Sequence, residues 1–247
     1  MLVSVIIPYF NDMINIEGAI KSALNQSYKK LEIIIINDEN SISSRKILEN
    51  LKNKFKRVRV FSTHKNSGVS MARNLGVKKA NGDFIAFLDS DDLWKKKKIK
   101  EQLTFINNNN VDICYTDYLA INESNKIVYK VRTPKVLFYK DLLSECPIAC
   151  SSVLVKKEIL KKNPFKNLNT KEDYMLWLDL SKKGFKLSGL NKFLSIYRVR
   201  SNSLSSRHVN KLCSAFKIYS SHLDYNFLFS IVFVIRLYIN AFKKKYL

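Results

Sequence analysis

Glycine and proline are scarce, six and four in 247 residues. That excludes collagen-like sequence and long Gly/Pro-rich disorder. Histidine is scarcer, and none of His64, His208 and His222 stands at zinc-ligand spacing from a cysteine. Cys114, Cys146, Cys150 and Cys213 form no CxxC pair and read as reduced thiols of a cytosolic protein. There is no GxxxxGK loop, and no GxGxxG follows the first apolar run, which disfavours P-loop NTPases and dinucleotide oxidoreductases. The opening MLVSVIIPYF lacks a basic leader and is broken by Pro8, so a strand is expected there and not a signal peptide.

Acidic residues are also few, 21 against 43 Lys and Arg, for a net charge of +22. Such an excess suits nucleic acid, anionic lipid or a diphosphate. Only nine of the basic residues are Arg, and Lys, Asn and Ile are abundant together, as AT-rich coding would give. The lysines are scattered, as at residues 95–98, without interleaved stacking aromatics. No nucleic-acid partner is expected.

Apolar residues reach 46%, and the length suits one α/β core with a smaller appendage. Apolar runs at 3–7, 31–36, 58–62 and 83–88 read as strands, with helices expected at 14–25, 41–55, 69–80 and 94–106. This alternation predicts an α/β fold with a doubly wound parallel sheet. The regularity then breaks. Residues 113–120 and 126–132 look like paired strands, 151–155 and 193–198 like further strands, and 172–183 like a helix.

The last segment differs again. Asn226, Ser230, Asn240 and Lys244 fall in a narrow arc of a helical wheel otherwise occupied by Phe, Leu, Ile and Val. Its apolar run is too short to cross a bilayer, which needs ~20 residues. An amphipathic helix with residues 243–245 on lipid headgroups, a helix docked on the core, and a dimer contact are the three readings.

Ligands of open α/β sheets bind beyond the carboxyl ends of the strands. Three such ends carry polar residues: Pro8, Tyr9, Phe10 and Asn11; Asn37 and Asp38; and Asp89, Ser90, Asp91 and Asp92. Tyr9 suits packing on a nucleobase, and Asp38 suits a base N–H or ribose hydroxyl. Asp89 and Asp91, one residue apart on extended chain, can hold a magnesium or manganese ion together with substrate phosphates. Taken singly, Asp38 also fits a turn, and Asp89 to Asp92 also fit a cap for a helix starting at Trp94. Asp173 follows Thr170 at capping-box spacing, beside Glu172. Arg198 and Arg200 alternate toward one face, either to clamp a diphosphate or as solvated surface residues.

In combination these segments resemble family-2 glycosyltransferases of the GT-A fold. The segments are VSVIIPYFN (3–11), SALNQSY (22–28), LEIIIIND (31–38), NSGVSMARNLG (66–76), ANGDFIAFLDSDDLW (80–94), KEDYMLWL (171–178) and YRVRSNSLS (197–205). The pattern looks closest to teichuronic-acid, O-antigen and capsule transferases.

The resemblance implies an inverting, metal-dependent enzyme that moves a sugar from a nucleotide-diphospho-sugar, expected to be a UDP-sugar. The implied acceptor is a lipid-linked glycan at the inner face of a bacterial membrane. It implies Pro8, Tyr9, Asp38, Asp89, Arg198 and Arg200 for the nucleotide-sugar, and Asp91 with Asp89 for Mn2+ or Mg2+. Asp173 becomes the base, and Glu172 and Trp177 shape the acceptor pocket. Residues 1–205 form the transferase domain, with a nucleotide half (1–110) and an acceptor half (111–205), and 206–247 form a helical tail. An inactive relative serving as an assembly partner is the alternative.

Two positions depart from the pattern. Asp38 is followed by Glu39, Asn40 and Ser41 where many relatives read Gly-Ser, and Arg200 stands where many carry His. Arg cannot deprotonate to bind a metal, which leaves diphosphate contact as its role.

Overall fold

Strand β1 (Val3–Tyr9) divides its side chains between two cores, because a strand alternates faces. Val3, Val5, Ile7 and Tyr9 enter one core, and Ile6 enters the other. Strand β2 (Leu31–Asn37) does the same with Ile33 and Ile35 against Ile34 and Ile36. Both strands are apolar on both faces, as a sheet covered on each side requires.

The structure is a computed structural model describing residues 1–64, 66–168, 170–200 and 208–246, with side chains for all of these except 208–211 and 244–246. The expected boundary between 205 and 206, the end of the YRVRSNSLS segment after Arg200, and the side chains of Lys244 and Lys245 lie outside this description.

The first half matches the predicted alternation: α1 (Ile16–Leu24), α2 (Ile42–Lys54), β3 (Val58–Ser62), α3 (Val69–Lys79) and β4 (Phe84–Phe87). The sheet runs β3-β2-β1-β4 with every pairing parallel. Its order reverses at β1, so the crevice beyond β1 and β4 is the expected ligand position.

The next element departs from expectation. Trp94 belongs to β5 (Leu93–Trp94), paired antiparallel with a late strand, and α4 starts only at Lys98 (Lys98–Asn109). Tertiary bonds hold Trp94 out of the helix. Its indole N–H donates to Ser151 O at 2.7 Å and its backbone N–H to Ser22 Oγ at 3.2 Å. Lys98 is fully buried under that ring, with Nζ 4.2 Å from the ring centroid and 2.8 Å from Gln102 Oε1. Burial lowers its ammonium pKa to about 7.

Beyond α4 the sheet is mixed. β6 (Ile113–Ile121) pairs antiparallel with β7 (Ile127–Val131), as predicted. The short β8 (Val136–Leu137) and helix α5 (Tyr139–Leu142) follow. The strand expected at 151–155 begins instead with a 3-10 turn, Cys150–Ser152, in which Ser152 Oγ donates to Ala149 O at 2.7 Å. β9 (Leu154–Lys156) follows, antiparallel to β4 and β6. After α6 (Lys157–Lys162) and α7 (Glu172–Lys182), β10 (Leu187–Arg198) completes the sheet parallel to β6.

Helices α1, α2 and α4 cover one face of the sheet, and α3, α6, α7 and the tail cover the other. Gly76 lets α3 lie close on β1, since a Cβ there would meet Ile6 Cγ2 at 2.5 Å.

The tail forms α8 (His208–Lys217), a π-turn at Ile218–His222, and α9 (Phe227–Tyr246). Helix α9 docks on the core: Ser230, Val234 and Leu237 are buried, and Asn240 Nδ2 donates to Ser144 O at 3.0 Å. Ser230 and Asn240 thus face the protein, while Leu228, Ile235, Ile239 and Phe242 face outward together with Arg236 and Lys243. No described helix is long and apolar enough to cross a membrane.

Candidate active site

Asp38 sits at the end of β2 and is 4% exposed. Its Oδ1 accepts from Thr63 Oγ1 at 2.7 Å and from the Ser67 N–H at 2.9 Å, and its Oδ2 accepts from the Gly68 N–H at 2.8 Å. Gly68 is the N-cap of α3 and has φ +84, where a side chain would be strained. Asp38 therefore fixes the turn that leads into α3 as well as standing at the strand end.

Tyr9 is a correction. The strand period carries its ring into the core with Val3, Val5 and Ile7, and the side chain is fully buried. It cannot stack on a nucleobase from there. What it offers the strand end is its carbonyl, which accepts from the Asp38 N–H at 2.9 Å. Pro8, on the opposite face, is half-buried.

Asp89 and Asp91 lie just beyond β4. The Asp89 N–H donates to Ser151 Oγ at 3.0 Å, and its Oδ1 is 2.7 Å from Arg73 Nη2. Asp91 Oδ2 is 2.9 Å from Arg200 Nε. Burial, and then the neighbouring Asp89, raise the Asp91 carboxyl to a pKa of about 6. Asp92 turns inward, and its Oδ1 accepts from the Arg198 N–H at 2.8 Å. The helix-cap reading of this run fails, because α4 begins at Lys98 and has no side-chain cap.

Among the described residues no group of three or more His, Cys, Asp or Glu is placed to hold a metal. Asp89 and Asp91 supply hard carboxylate oxygens at one strand end. That donor set suits Mg2+ or Mn2+ provided phosphate and water complete the shell.

The two arginines separate. β10 ends at Arg198, so strand alternation does not extend to Arg200. Arg198 is 8% exposed, with its Nε donating to Asp91 O at 3.0 Å and its Nη1 to Asn122 O at 3.2 Å. Its guanidinium is engaged with main-chain carbonyls, and the expected diphosphate clamp at Arg198 is corrected to a brace for the acidic loop. Arg200 reaches the acids themselves, pairing with Asp91 and, at 2.6 Å, with Asp12 Oδ2.

Glu172 and Asp173 open α7. The capping box is not formed: the N-cap is Lys171, at φ 62, without a side-chain bond. A lysine in left-handed backbone costs roughly 1–3 kcal/mol, and such strain clusters at functional sites. Asp173 Oδ1 accepts from its neighbour's N–H, that of Tyr174, at 2.7 Å. Removal from water raises the carboxyl pKa of both acids, against the pull of Arg73. Trp177 is fully buried in the core, so it can support an acceptor pocket only from beneath.

Two residues of the site were not singled out by the sequence. Arg73, in the middle of NSGVSMARNLG, is buried and joins Asp89 to Glu172, 2.5 Å from the latter. Asp12, 3% exposed, holds Arg200 and accepts from Ser90 Oγ at 2.8 Å. The signal for Asp12 was its place in the turn after β1.

The profile of Glycosyl transferase family 2 matches residues 4–166. TuaG of Bacillus subtilis (strain 168), named for teichuronic acid biosynthesis, is 36% identical over 206 residues, covering 83% of this chain and 82% of its own. WfgD of Escherichia coli is named as a UDP-Glc:alpha-D-GlcNAc-diphosphoundecaprenol beta-1,3-glucosyltransferase. It is 36% identical over 214 residues, 85% of this chain and 82% of its own. The solved structure of S. aureus TarS 1–349 in complex with UDP-GlcNAc aligns with a TM-score of 0.68 at 19% identity, covering 95% of this chain and 70% of that one. At that identity the likeness establishes the GT-A fold alone. Profile, relatives and fold agree, and the chain belongs to glycosyltransferase family 2.

Proposed function

We propose that the enzyme transfers a sugar from a UDP-sugar to a hydroxyl of a lipid-linked glycan, with inversion, in bacterial cell-surface polysaccharide synthesis. One observation carries this reading: buried Arg73 links Asp89, at the donor strand end, to Glu172 beside Asp173. A donor-side acid and an acceptor-side acid are thereby held by one guanidinium.

Asp38 and Pro8 take the nucleoside, with Tyr9 contributing through its backbone. Asp91, aided by Asp89, holds Mn2+ or Mg2+, which when bound neutralises charge on the diphosphate. Arg200 contacts the diphosphate, and Arg198 positions the loop that carries Asp91. Asp173 takes the proton of the acceptor hydroxyl. The hydroxyl oxygen bonds to the anomeric carbon from the face opposite the diphosphate, and the bond to the diphosphate breaks with its electron pair. Glu172, fixed by Arg73, and Trp177, from below, shape the acceptor pocket. Residues 1–110 form the donor half and 111–205 the acceptor half.

The name of WfgD, with its diphosphoundecaprenol acceptor, supports a lipid-linked substrate here. That substrate places the work at the inner face of the cell membrane, with the 206–247 tail toward anionic lipid.

Calorimetric titration with UDP, GDP and CMP, in manganese and in EDTA, tests the donor site. Metal-dependent UDP binding, lost in Asp91→Ala, is expected. Preference for GDP or CMP would overturn the base assignment. Folded protein that binds no nucleotide would overturn the enzyme reading in favour of an assembly partner.

A further inference from the structure

Helix α9 exposes large apolar residues alongside Arg236 and Lys243 while turning two polar ones inward. Ser230 is fully buried, and Asn240 reaches inward to Ser144 O. Leu228, Val232, Ile235, Ile239 and Phe242 are 73%, 43%, 52%, 50% and 63% exposed. Their spacing, four and three residues in alternation, puts them on one outward stripe. A contiguous exposed stripe of large apolar side chains marks a binding surface.

Beside the stripe, α8 and α9 line an open crevice of about 400 Å3. Its walls are Leu212, Phe216, Ile231, Val234 and Ile235, with Cys213 and Lys217 also lining it. Ile235 belongs to both crevice and stripe, so the two are continuous. The volume lies at the low end of the roughly 300–1,000 Å3 of small-ligand sites, which suits a short hydrocarbon segment. Among the described tail side chains basic charge prevails: Lys217 lines the crevice and Arg236 and Lys243 stand exposed on α9, against the single acid Asp224. A hydrocarbon carrying an anionic head is the chemistry that fits both walls and surroundings.

The tail that forms the crevice also packs against α7, which carries the acceptor acids. The hydroxyls of Tyr174, on α7, and Tyr219, in the tail, lie 2.7 Å apart. The Tyr238 ring, on α9, lies 6.0 Å from Lys171 Nζ, next to Glu172 and Asp173.

We propose that the α8–α9 crevice holds a segment of the polyisoprenoid chain of the phospho-lipid acceptor. This rests on the lipid-linked acceptor proposed above. The chain anchors there, and its phosphorylated head is kept beside the basic tail and within reach of the α7 acids.

Farnesyl phosphate, a C15 polyisoprenyl monophosphate, is the test ligand, titrated below its micellar concentration into the full chain. Ile235→Asp puts a charge in the wall, and Cys213→Trp fills the crevice. UDP binding and thermal unfolding report whether each variant is folded. Saturable 1:1 binding is expected, weakened at least tenfold in a folded variant, with UDP affinity unchanged.

Absence of saturable binding, or equal binding in both variants, would overturn the proposal. Equally tight binding of unbranched lauryl phosphate would also overturn it, in favour of docking on bilayer acyl chains. A wild-type dimer that Ile235→Asp makes monomeric would assign the crevice to a second copy of the chain. Farnesyl phosphate binding without UDP binding would remove the donor reading and leave the crevice standing.

Discussion

Arg73 and Glu172 are ion-paired at 2.5 Å inside the protein, with Arg73 only 3% exposed. The same guanidinium reaches Asp89 at 2.7 Å, and its Cζ lies 5.6 Å from the Phe165 ring centroid and 6.0 Å from that of Phe87. Breaking a buried pair by removing one partner leaves uncompensated charge and costs about 3–5 kcal/mol. Arg73→Met is expected to lose stability of that order in urea denaturation. Arg73→Lys should recover part of it, since a point ammonium cannot fork to two carboxylates. A methionine variant as stable as wild type would remove the bridge from the account.

Asp173→Asn keeps the shape of the side chain and removes the base. General-base catalysis contributes typically 10²–10⁴-fold, so kcat should fall by about that factor. UDP affinity, set by other residues, should stay within about twofold of wild type. Radiolabelled sugar transfer and calorimetry separate the two. Transfer at the wild-type rate would show that Asp173 is not the base.

The acid limb of the pH profile follows from Asp173 as well. Burial raises its carboxyl pKa, and only the ionised form can take a proton. A raised pKa moves the loss of activity to higher pH than a free aspartate, near ~3.9, would give. The kcat–pH profile is expected to fall on its acid side at higher pH than a free aspartate would give, and Asp173→Glu to shift that limb. A limb that Asp173→Glu leaves in place belongs to another group.

Lys98 makes a prediction about stability alone. Burial lowers its pKa from 10.5 to about 7. As pH falls from 10.5, the unfolded chain takes up this proton before the folded one does. Stability therefore drops through that window, by up to about 1.4 kcal/mol per pH unit, and levels off below 7. Lys98→Met should lack this slope, so wild type gains on the variant between pH 7 and 9 in denaturant titrations. Parallel curves would mean that Lys98 carries its charge in the folded protein.

Much of this was legible in the sequence. The β-branched runs gave the strands of the first half, and the carboxylates at their ends gave the acids of the site. Arg73 was not legible, because its partners lie 16 and 99 residues away and only folding brings them together. Tyr9 was misread because a polar-looking strand end still obeys the two-residue period, which sends its ring into the core. Arg198 was misread because alternation assumes a strand that continues, and β10 stops there. The wheel for α9 grouped Ser230 with Asn240, which both turn inward, but a wheel carries no information about which side the protein lies on. Trp94, favourable in a helix by position, was taken into a strand by its bond to Ser151.

Gly76 shows how closely such a site is calibrated. A single methyl at that position would stand 2.5 Å from Ile6 Cγ2 on β1. Either the fully buried Ile6 side chain or helix α3 would have to give way, and α3 carries Gly68 at its start and Arg73 one turn before Gly76. Where the helix lifts, the Asp38 bonds to the turn and the Arg73 bridge shift together, so Gly76→Ala would detune donor and acceptor ends at once without touching either. The missing side chain acts as a spacer gauge, and the reach of the guanidinium is measured from it.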